Sequence, residues 1–304
     1  MAKHVAVLMG GWSAEREVSL VTGAAVVEAC RRLGYRTSAV DVGRQVADVL
    51  HKLRVDVAFN ALHGRFGEDG TIQGLLEIMG LPYTHSGVRA SANAMDKPTA
   101  KYIFAAHGLP MSEHLIRTRE EMREDPGLPA PYVIKPLNEG SSVGVRIVMP
   151  EDNFRPGDDL QWVYGDTVMI ERFVPGREIQ VAVMGDEALG AIEIRPKGRF
   201  YDYKAKYTDG EAVHLMPAPM PEEDYAQACE IALTAHRALG CRGVSRSDLR
   251  YDESRPAGQR LVILEINTQP GMTPLSLVPE IAAHRGYDFD ALVRWMIEDA
   301  GVDR

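Results

Sequence analysis

Gly243-Val-Ser-Arg-Ser-Asp-Leu249 and Leu261-Val-Ile-Leu-Glu-Ile-Asn-Thr-Gln-Pro-Gly-Met-Thr273 are the two stretches that decide how this chain is interpreted. Both are largely apolar and favour β-strands, but polar side chains interrupt them at alternate positions. Successive side chains of a strand point to opposite faces. Arg246 and Asp248 therefore share one face of the first strand, and Glu265 and Asn267 share one face of the second.

The turn-rich stretch 252–258 lies between the two segments and predicts a hairpin. If its turn centres near Arg255, Asp248 lies almost opposite Ile263 and diagonal to Glu265. Asp248, Glu265 and Asn267 could then share a Mg²⁺ ion, which prefers oxygen ligands and is often completed by substrate phosphates. The alternative is a solvated strand end with incidental acids. It is less favoured, because an apolar run should not end in unpaired charges without cause.

Composition restricts the class of protein. The 304 residues are 45% hydrophobic and 25% charged, with a net charge of −9. This acidic balance disfavours a nucleic-acid binder, which needs a basic face, and requires local lysines or a metal to bind any anionic substrate. The three cysteines form no CxxC pair, which is typical of buried thiols in a reducing compartment. With no signal peptide or membrane span expected, the sequence predicts a cytoplasmic protein.

Residues 4–85 alternate between strand and helix patterns. Strands are predicted at 5–9, 37–42 and 56–62, with helices at 16–33 and 72–79 and another between the second and third strands. This alternation favours a parallel sheet that is covered on both faces. Ligands of such sheets gather at the carboxyl ends of the strands. Here those ends carry the segments 10–15 and 63–70.

A different pattern begins near Lys97. Pro98 suits the first turn of a helix that runs to about His107. Strands and hairpins follow at 132–135, 144–148 and 168–171, then strands near 178–194 and helices at 223–239 and 289–299. We therefore predict an α/β protein with three domains: an N-terminal substrate-binding domain (1–95), a central domain (96–180) and a C-terminal domain with the metal site and a lid loop (181–304).

Two glycine-containing segments are candidates for anion or substrate binding. Gly10-Gly11 precedes a helix, but the G-x-G-x-x-G spacing of dinucleotide sites is absent. Glu15 at that helix start would repel a pyrophosphate; it could hold an ammonium group or simply stabilise the helix end. The loop 138–144, with Ser141 and Ser142, is either a phosphate-binding loop or an ordinary hairpin turn.

Three further segments extend the candidate site. Lys135 lies in a strand, where a lysine is either an edge residue or a buried partner for an anion. The exit of the strand ending at Glu171 could present free backbone groups to an adenine, with Glu178 on the ribose. The aromatic and basic loop 199–207 is interpreted as a mobile lid rather than a single-strand nucleic-acid surface.

Taken together, these segments closely resemble the D-alanine–D-alanine ligases of the ATP-grasp superfamily. The resemblance runs from Val5 to at least Ser276, and its ordered set of motifs is highly specific. The motifs are Gly10-Gly-Trp-Ser-Ala-Glu-Arg-Glu-Val-Ser19, Leu62-His-Gly-Arg-Phe-Gly-Glu-Asp-Gly70, Met95-Asp-Lys97, Ile134-Lys-Pro136, Glu139-Gly-Ser-Ser-Val-Gly144, Tyr201-Asp-Tyr-Lys-Ala-Lys-Tyr207, Arg246-Ser-Asp248 and Glu265-Ile-Asn-Thr-Gln-Pro-Gly-Met-Thr273. Lys204 and Gln269 depart from the family pattern without removing a proposed ligand.

The resemblance implies the three-domain ATP-grasp architecture, with ATP between the second and third domains. It implies phosphorylation of one D-alanine to an acyl phosphate, attack by the amine of a second D-alanine, and release of phosphate. It also implies Mg²⁺ (two ions, with Mn²⁺ as a substitute) and a homodimer. By motif, the implied residues are Glu15, Ser141, Tyr207, Arg246 and Gly271 in catalysis; Glu15, His63, Arg246 and Ser276 for D-alanine; Lys97, Lys135, Ser141, Ser142, Glu171, Phe173, Val174, Glu178 and Lys206 for ATP; and Asp248, Glu265 and Asn267 for the metal.

Two alternatives stay open on the same fold. A D-alanine–D-lactate ligase is disfavoured by Tyr207, because ester-forming relatives resemble a different lid sequence. A catalytically silent ATP-grasp binding protein would have no need for the complete set of lysines and metal ligands. A dinucleotide oxidoreductase is disfavoured by the missing glycine fingerprint.

Overall fold

The computed structural model describes residues 2–138, 140, 144–152, 157, 162, 164–198 and 210–303. Their strands and helices, in chain order, are β1 (His4–Met9), α1 (Arg16–Arg32), β2 (Arg36–Asp41), α2 (Val46–Leu53), β3 (Val57–Asn60), α3 (Thr71–Met79), α4 (Val88–Met95), α5 (Lys97–Ala106), β4 (His114–Thr118), α6 (Arg119–Glu124), β5 (Tyr132–Lys135), β6 (Arg146–Val148), β7 (Thr167–Arg172), β8 (Arg177–Met184), β9 (Glu187–Pro196), β10 (Ala212–Leu215), α7 (Glu222–Leu239), β11 (Val244–Tyr251), β12 (Leu261–Asn267), α8 (Leu277–His284) and α9 (Phe289–Asp299).

The N-terminal strands form a parallel sheet in the order β2-β1-β3. The central strand β1 is apolar and fully buried from Val5 to Leu8, as expected for a strand with helices on both faces. Side chains of α2 and α3 pack on one face and those of α1 on the other. Gly10 ends β1 with a φ of 76°, and a Cβ there would lie 2.2 Å from Asp41 Oδ1. Only glycine fits this turn.

Two antiparallel sheets follow. The strands β4-β7-β5-β6 form a four-stranded sheet, and β10-β9-β8-β11-β12 form a five-stranded one. The helices α4, α5 and α7 share a core with one face of the five-stranded sheet. β8 belongs to this sheet and spans the division that the sequence places between residues 180 and 181. The domain limits stay a prediction, whereas the predicted α/β class with an N-terminal parallel sheet is confirmed.

The hairpin of β11 and β12 forms as predicted, but its predicted register is wrong. Asp248 lies directly opposite Glu265, whereas Leu249 lies opposite Ile263. Leu264 is thus the extra residue of a β-bulge. Ile263 packs with Leu249 in the core beneath α7. In a regular strand Glu265 would share that face, because side chains alternate with period two. The bulge shifts the alternation and turns Glu265 to the opposite face with Asp248.

The end of the described chain packs back onto its beginning. Side chains of α9 join the core that α1 forms with β1 and β3. Arg32 on α1 donates to Asp290 on α9 at 2.6 Å, and Tyr83 forms a β-bridge with Gly301. The N-terminal sheet and the C-terminal helices are therefore one packed body. Within the described ranges, no helix has the length and apolarity required to cross a membrane.

Candidate active site

An open cleft lies where the N-terminal sheet meets the five-stranded sheet. One wall comes from the loops after β1 and β3, and the other from the ends of β11 and β12. The start of α5 closes one side. The lining residues are Glu15, His63, Glu68, Ala94, Met95, Lys97, Gly140, Arg246, Glu265, Ile266, Asn267, Thr268 and Gly271.

Glu15 is buried at the start of α1, and two glycines pack against its carboxylate. Its side chain makes no capping hydrogen bond to the helix. A Cβ on Gly64 would lie 2.5 Å from Glu15 Oε2, and one on Gly140 would lie 3.4 Å from the same atom. Gly64 also has a φ of 68°, which favours glycine. Its place in the lining of the cleft favours a role for Glu15 toward the cleft over simple stabilisation of the helix end.

His63 is held on both sides of its ring. Its Nδ1 lies 3.0 Å from Glu68 Oε1, and its Nε2 lies 3.0 Å from Thr22 Oγ1. All three side chains are buried. Glu68 was not proposed from the sequence as a site residue, although it stands inside the motif 62–70. An acid in a glycine-rich loop at the end of a parallel strand was the signal that could have found it.

The four polar side chains of the β11–β12 hairpin lie together as predicted. Arg246 donates to Asp248 through Nε at 2.8 Å and through a terminal nitrogen at 3.2 Å. Arg246 pairs with Asn267 in the same register that pairs Asp248 with Glu265. Directly opposite residues in antiparallel strands have Cβ atoms about 5 Å apart, so the two carboxylates are within reach of one ion.

This donor set fits Mg²⁺. No group of three His, Cys, Asp or Glu side chains with a metal-binding arrangement occurs in the described ranges. Here, however, the third donor is an amide: Asn267 Oδ1 accepts a hydrogen bond of 2.7 Å from the Gln269 backbone. Two carboxylates and an amide oxygen are hard ligands, and an incomplete protein shell is usual where phosphates supply the remaining oxygens. Their role as metal ligands stays a prediction.

A buried charge cluster lies between α5, β5 and β7. Glu171 accepts from Lys101 at Oε1 and from Lys135 at Oε2, the latter at 2.5 Å. Burial alone would raise the pKa of the Glu171 carboxyl, but the charges of Lys101 and Lys135 outweigh it and lower the pKa to about 2. Burial likewise opposes the charge of Lys135, yet Glu171 and Glu265 raise its pKa. This coupling links the four-stranded sheet electrostatically to the carboxylate of β12.

Lys101 was missed by the sequence interpretation. It lies four residues after Lys97 on α5 and is 1% exposed, so both lysines share one face of the helix. A second lysine four positions after Lys97 in the predicted helix was the signal that could have identified Lys101 as a site residue. Lys97 itself lines the cleft, and its backbone nitrogen donates to Leu137 O at 3.1 Å, which ties the helix start to the segment after β5.

The segment predicted to contact adenosine already uses part of its backbone. Phe173 N donates to Pro131 O at 3.2 Å, and Val174 O accepts from Arg250 Nε at 3.2 Å. These two groups are therefore not free, contrary to the expectation of open backbone groups at this strand exit. Glu178 lies 3.7 Å from Arg250, on the same sheet face as Asp248.

Ser276 lies beside Gly271, in the segment that follows β12. Its Oγ accepts from Thr273 N at 2.9 Å, and a Cβ on Gly271 would lie 2.8 Å from that Oγ. The structure therefore brings Gly271 and Ser276 together. Ser141, Ser142, Lys206 and Tyr207, together with the lid predicted at 199–207, fall outside the described residues.

Comparisons with known proteins agree on one family. The profiles described as D-ala D-ala ligase N-terminus and C-terminus match residues 43–86 and 98–298. The D-alanine–D-alanine ligase of Parvibaculum lavamentivorans is 55% identical over 305 residues, which cover 100% of this chain and 99% of that protein. That of Paramagnetospirillum magneticum is 56% identical over 309 residues and the full length of both.

A solved structure gives the same result at the level of the fold. The D-alanine–D-alanine ligase of Bacillus anthracis complexed with ATP superposes with a TM-score of 0.83 and 31% identity, over 98% of this chain and 97% of that one. The resemblance stated from the motifs is thus confirmed by matches along nearly the whole chain. This chain belongs to the D-alanine–D-alanine ligase family.

Proposed function

We propose that the protein joins two molecules of D-alanine to D-alanyl-D-alanine and converts ATP to ADP and phosphate. The observation that carries the proposal is the composition of the two cleft walls. Glu15, His63 and Glu68 form an acidic wall, whereas Arg246, Asn267 and Gly271 face them beside the carboxylate pair of the hairpin. An amino acid has one cationic and one anionic end, and such a cleft offers a partner for each.

The first D-alanine would place its ammonium group at Glu15. The carboxylate is 6% exposed and held by the close approach of Gly64, so it is pre-organised to bind a cation. His63, fixed between Thr22 and Glu68, would support the same subsite. The carboxylate of this D-alanine would then lie on the side of the cleft where Lys97 lies.

Phosphoryl transfer to that carboxylate needs alignment and charge neutralisation rather than covalent help. Lys97 and Lys135 would contact the phosphates, and Glu171, Phe173, Val174 and Glu178 the nucleoside. Mg²⁺ held by Asp248, Glu265 and Asn267 would neutralise phosphate charge when it is bound. Ser141, Ser142 and Lys206, which are not among the described residues, are proposed as further phosphate contacts. The acyl phosphate that results reacts with water, so the loop 199–207 would close as a lid.

The second D-alanine would bind through its carboxylate at Ser276 and attack with its free amine. The tetrahedral centre that forms carries an oxyanion, for which Arg246 and the Gly271 N–H are the donors in reach. Arg246 donates to Asp248 through two of its nitrogens, and its remaining N–H groups would be the donors to the oxyanion. Collapse of the tetrahedral centre releases phosphate and leaves the amide. Tyr207, with Glu15 and Ser141, would hold the lid closed over this step.

The remaining properties are proposed on the same basis. The three separate sheets support a division into three domains, proposed at 1–95, 96–180 and 181–304, although β8 crosses the limit between residues 180 and 181. We propose Mg²⁺ as the working metal, with Mn²⁺ as a substitute, a homodimer as the assembly, and a cytoplasmic role in supplying peptidoglycan precursors. The family membership and the three cysteines, which have no disulfide partners within the described ranges, support that location.

The decisive experiment is a phosphate-release assay with ATP, Mg²⁺ and D-alanine, compared with L-alanine and with mixtures of D-alanine and D-lactate. We expect phosphate release with D-alanine alone and a dipeptide product detected by mass spectrometry. Ester formation with D-lactate that exceeds dipeptide formation near neutral pH would favour the depsipeptide ligase instead. ATP binding without D-alanine-dependent phosphate release would favour a silent binding protein.

A further inference from the structure

Gln269, two residues beyond the proposed metal ligand Asn267, forms hydrogen bonds through both polar atoms of its side-chain amide and through its backbone nitrogen. Its side chain is 1% exposed. Nε2 donates to Leu62 O at 2.5 Å, and Oε1 accepts from Asn60 Nδ2 at 2.6 Å. Its backbone nitrogen donates to Asn267 Oδ1 at 2.7 Å. Gln269 thus lies in the segment that leaves β12, and its side chain bonds the last residue of β3 and the segment that follows it.

The partners of Gln269 belong to opposite walls of the cleft. Asn60 is the last residue of β3 and is fully buried; its Oδ1 accepts from Leu62 N at 3.2 Å, and its Nδ2 also donates to Gly67 O at 3.0 Å. Leu62 and Gly67 directly precede His63 and Glu68. On the other wall, Gln269 lies between Asn267 and Gly271. More than 200 residues separate the two walls along the chain, since Gln269 and Leu62 are 207 positions apart.

The side-chain amide matches both contacts. The Leu62 carbonyl requires a donor, and the Asn60 amide nitrogen requires an acceptor; a carboxamide supplies one of each in a fixed plane. A carboxylate would face the Leu62 carbonyl with an acceptor, and a thioether would leave both partners without a bond in a buried environment.

We infer that Gln269 is a positioning residue that fixes the distance between the first-substrate wall of the cleft and the wall that carries Asn267 and Gly271. The inference rests on the proposed ligase reaction, in which reacting groups bound to the two walls must meet. A displacement of about 1 Å between reacting groups can cost about 100-fold in rate. The nucleotide contacts proposed for β5, β7 and β8 do not depend on this bond.

The experiment uses the full-length chain with Gln269→Met, which keeps the volume and removes both side-chain bonds. We expect kcat for D-alanine-dependent phosphate release to fall about 10- to 100-fold, while the affinity for ATP, measured by calorimetric titration, changes less than about twofold. The matched control is Gln73→Met. Gln73 is also 1% exposed and donates to Gly67 O at 2.8 Å, but it contacts only the N-terminal wall. Its loss should lower stability and leave kcat within about threefold.

Gln269→Asn tests the same bonds with a shorter amide, which we expect to reach at most one of the two partners. An intermediate loss of kcat is expected, and this variant decides the matter if the Met variant does not fold by circular dichroism. An unchanged kcat in a folded Gln269 variant, an equal loss of ATP affinity, or an equal loss of kcat in Gln73→Met would overturn the inference. If the unaltered protein itself releases no phosphate with D-alanine, it is the proposed function that fails.

Discussion

Replacing Lys101 with Met tests whether the buried cluster around Glu171 stabilises the protein. Lys101 and Glu171 are each 1% exposed, so the carboxylate depends on its two lysines rather than on water. Removing one partner of a buried ion pair typically costs about 3–5 kcal/mol. Because Lys135 remains bonded to Oε2, we expect the lower end, about 3 kcal/mol in the free energy of unfolding.

The assay is urea denaturation near neutral pH, followed by circular dichroism, with ATP titrations on the folded variant. Lys52→Met is the control, because this substitution removes the same charge from an exposed position on α2. The double variant Lys101→Met with Glu171→Gln should recover part of the loss, since the buried carboxylate is then neutral. We also expect weaker ATP binding in Lys101→Met, since Glu171 and Lys135 lose their fixed arrangement. A denaturation midpoint equal to that of the unaltered protein would refute this reasoning.

Three further predictions follow from single residues. Burial lowers the pKa of His236 from 6.5 to about 4, so the folded protein keeps this imidazole neutral. The stability that this provides is complete above pH 6.5 and is lost as the pH falls toward 4, by about 3 kcal/mol in the free energy of unfolding. His236→Gln should reduce this dependence of stability on acid pH, whereas His51→Gln at an exposed site should not. Glu265→Ala should abolish turnover and weaken Mg²⁺ binding in a calorimetric titration, and turnover at the original rate would contradict the metal assignment. Gly64→Ala should raise the KM for D-alanine by about tenfold or more, since its Cβ would lie 2.5 Å from Glu15 Oε2 and displace that carboxylate; an unchanged KM would argue against Glu15 as the ammonium site.

The parts of the fold that depend on local pattern could be predicted from the sequence. The parallel order of β1, β2 and β3 follows from alternating strands and helices, and the start of α5 follows from Pro98 behind an Asp96 cap. The segments of Glu15 and His63 could be placed because the carboxyl ends of parallel strands meet at one edge of a sheet, and the hairpin residues because polar side chains alternate within apolar strands. Their roles in binding remain predictions.

The parts that depend on tertiary contacts could not be predicted. The bulge at Leu264 adds no residue type that distinguishes it from a regular strand, so alternation placed Glu265 diagonal to Asp248 instead of opposite it. Lys101 and Glu171 are 70 residues apart, and neither the helical pattern around Lys101 nor the strand pattern around Glu171 indicates that they pair. Gln269 was noticed only as a departure, because its two partners lie in another sheet.

The packing of α9 against α1 has a consequence for the order in which the protein acquires its structure during synthesis. Ribosomes release the N-terminus first, and domains generally fold as they emerge. Here Phe59 on the first sheet and Val26 on the helix α1 share a core with Leu292 and Met296 of α9. Nascent chains that end before α9 lack those contacts and expose apolar surface. The core on this face of the N-terminal sheet is thus completed only after α9 has been synthesised.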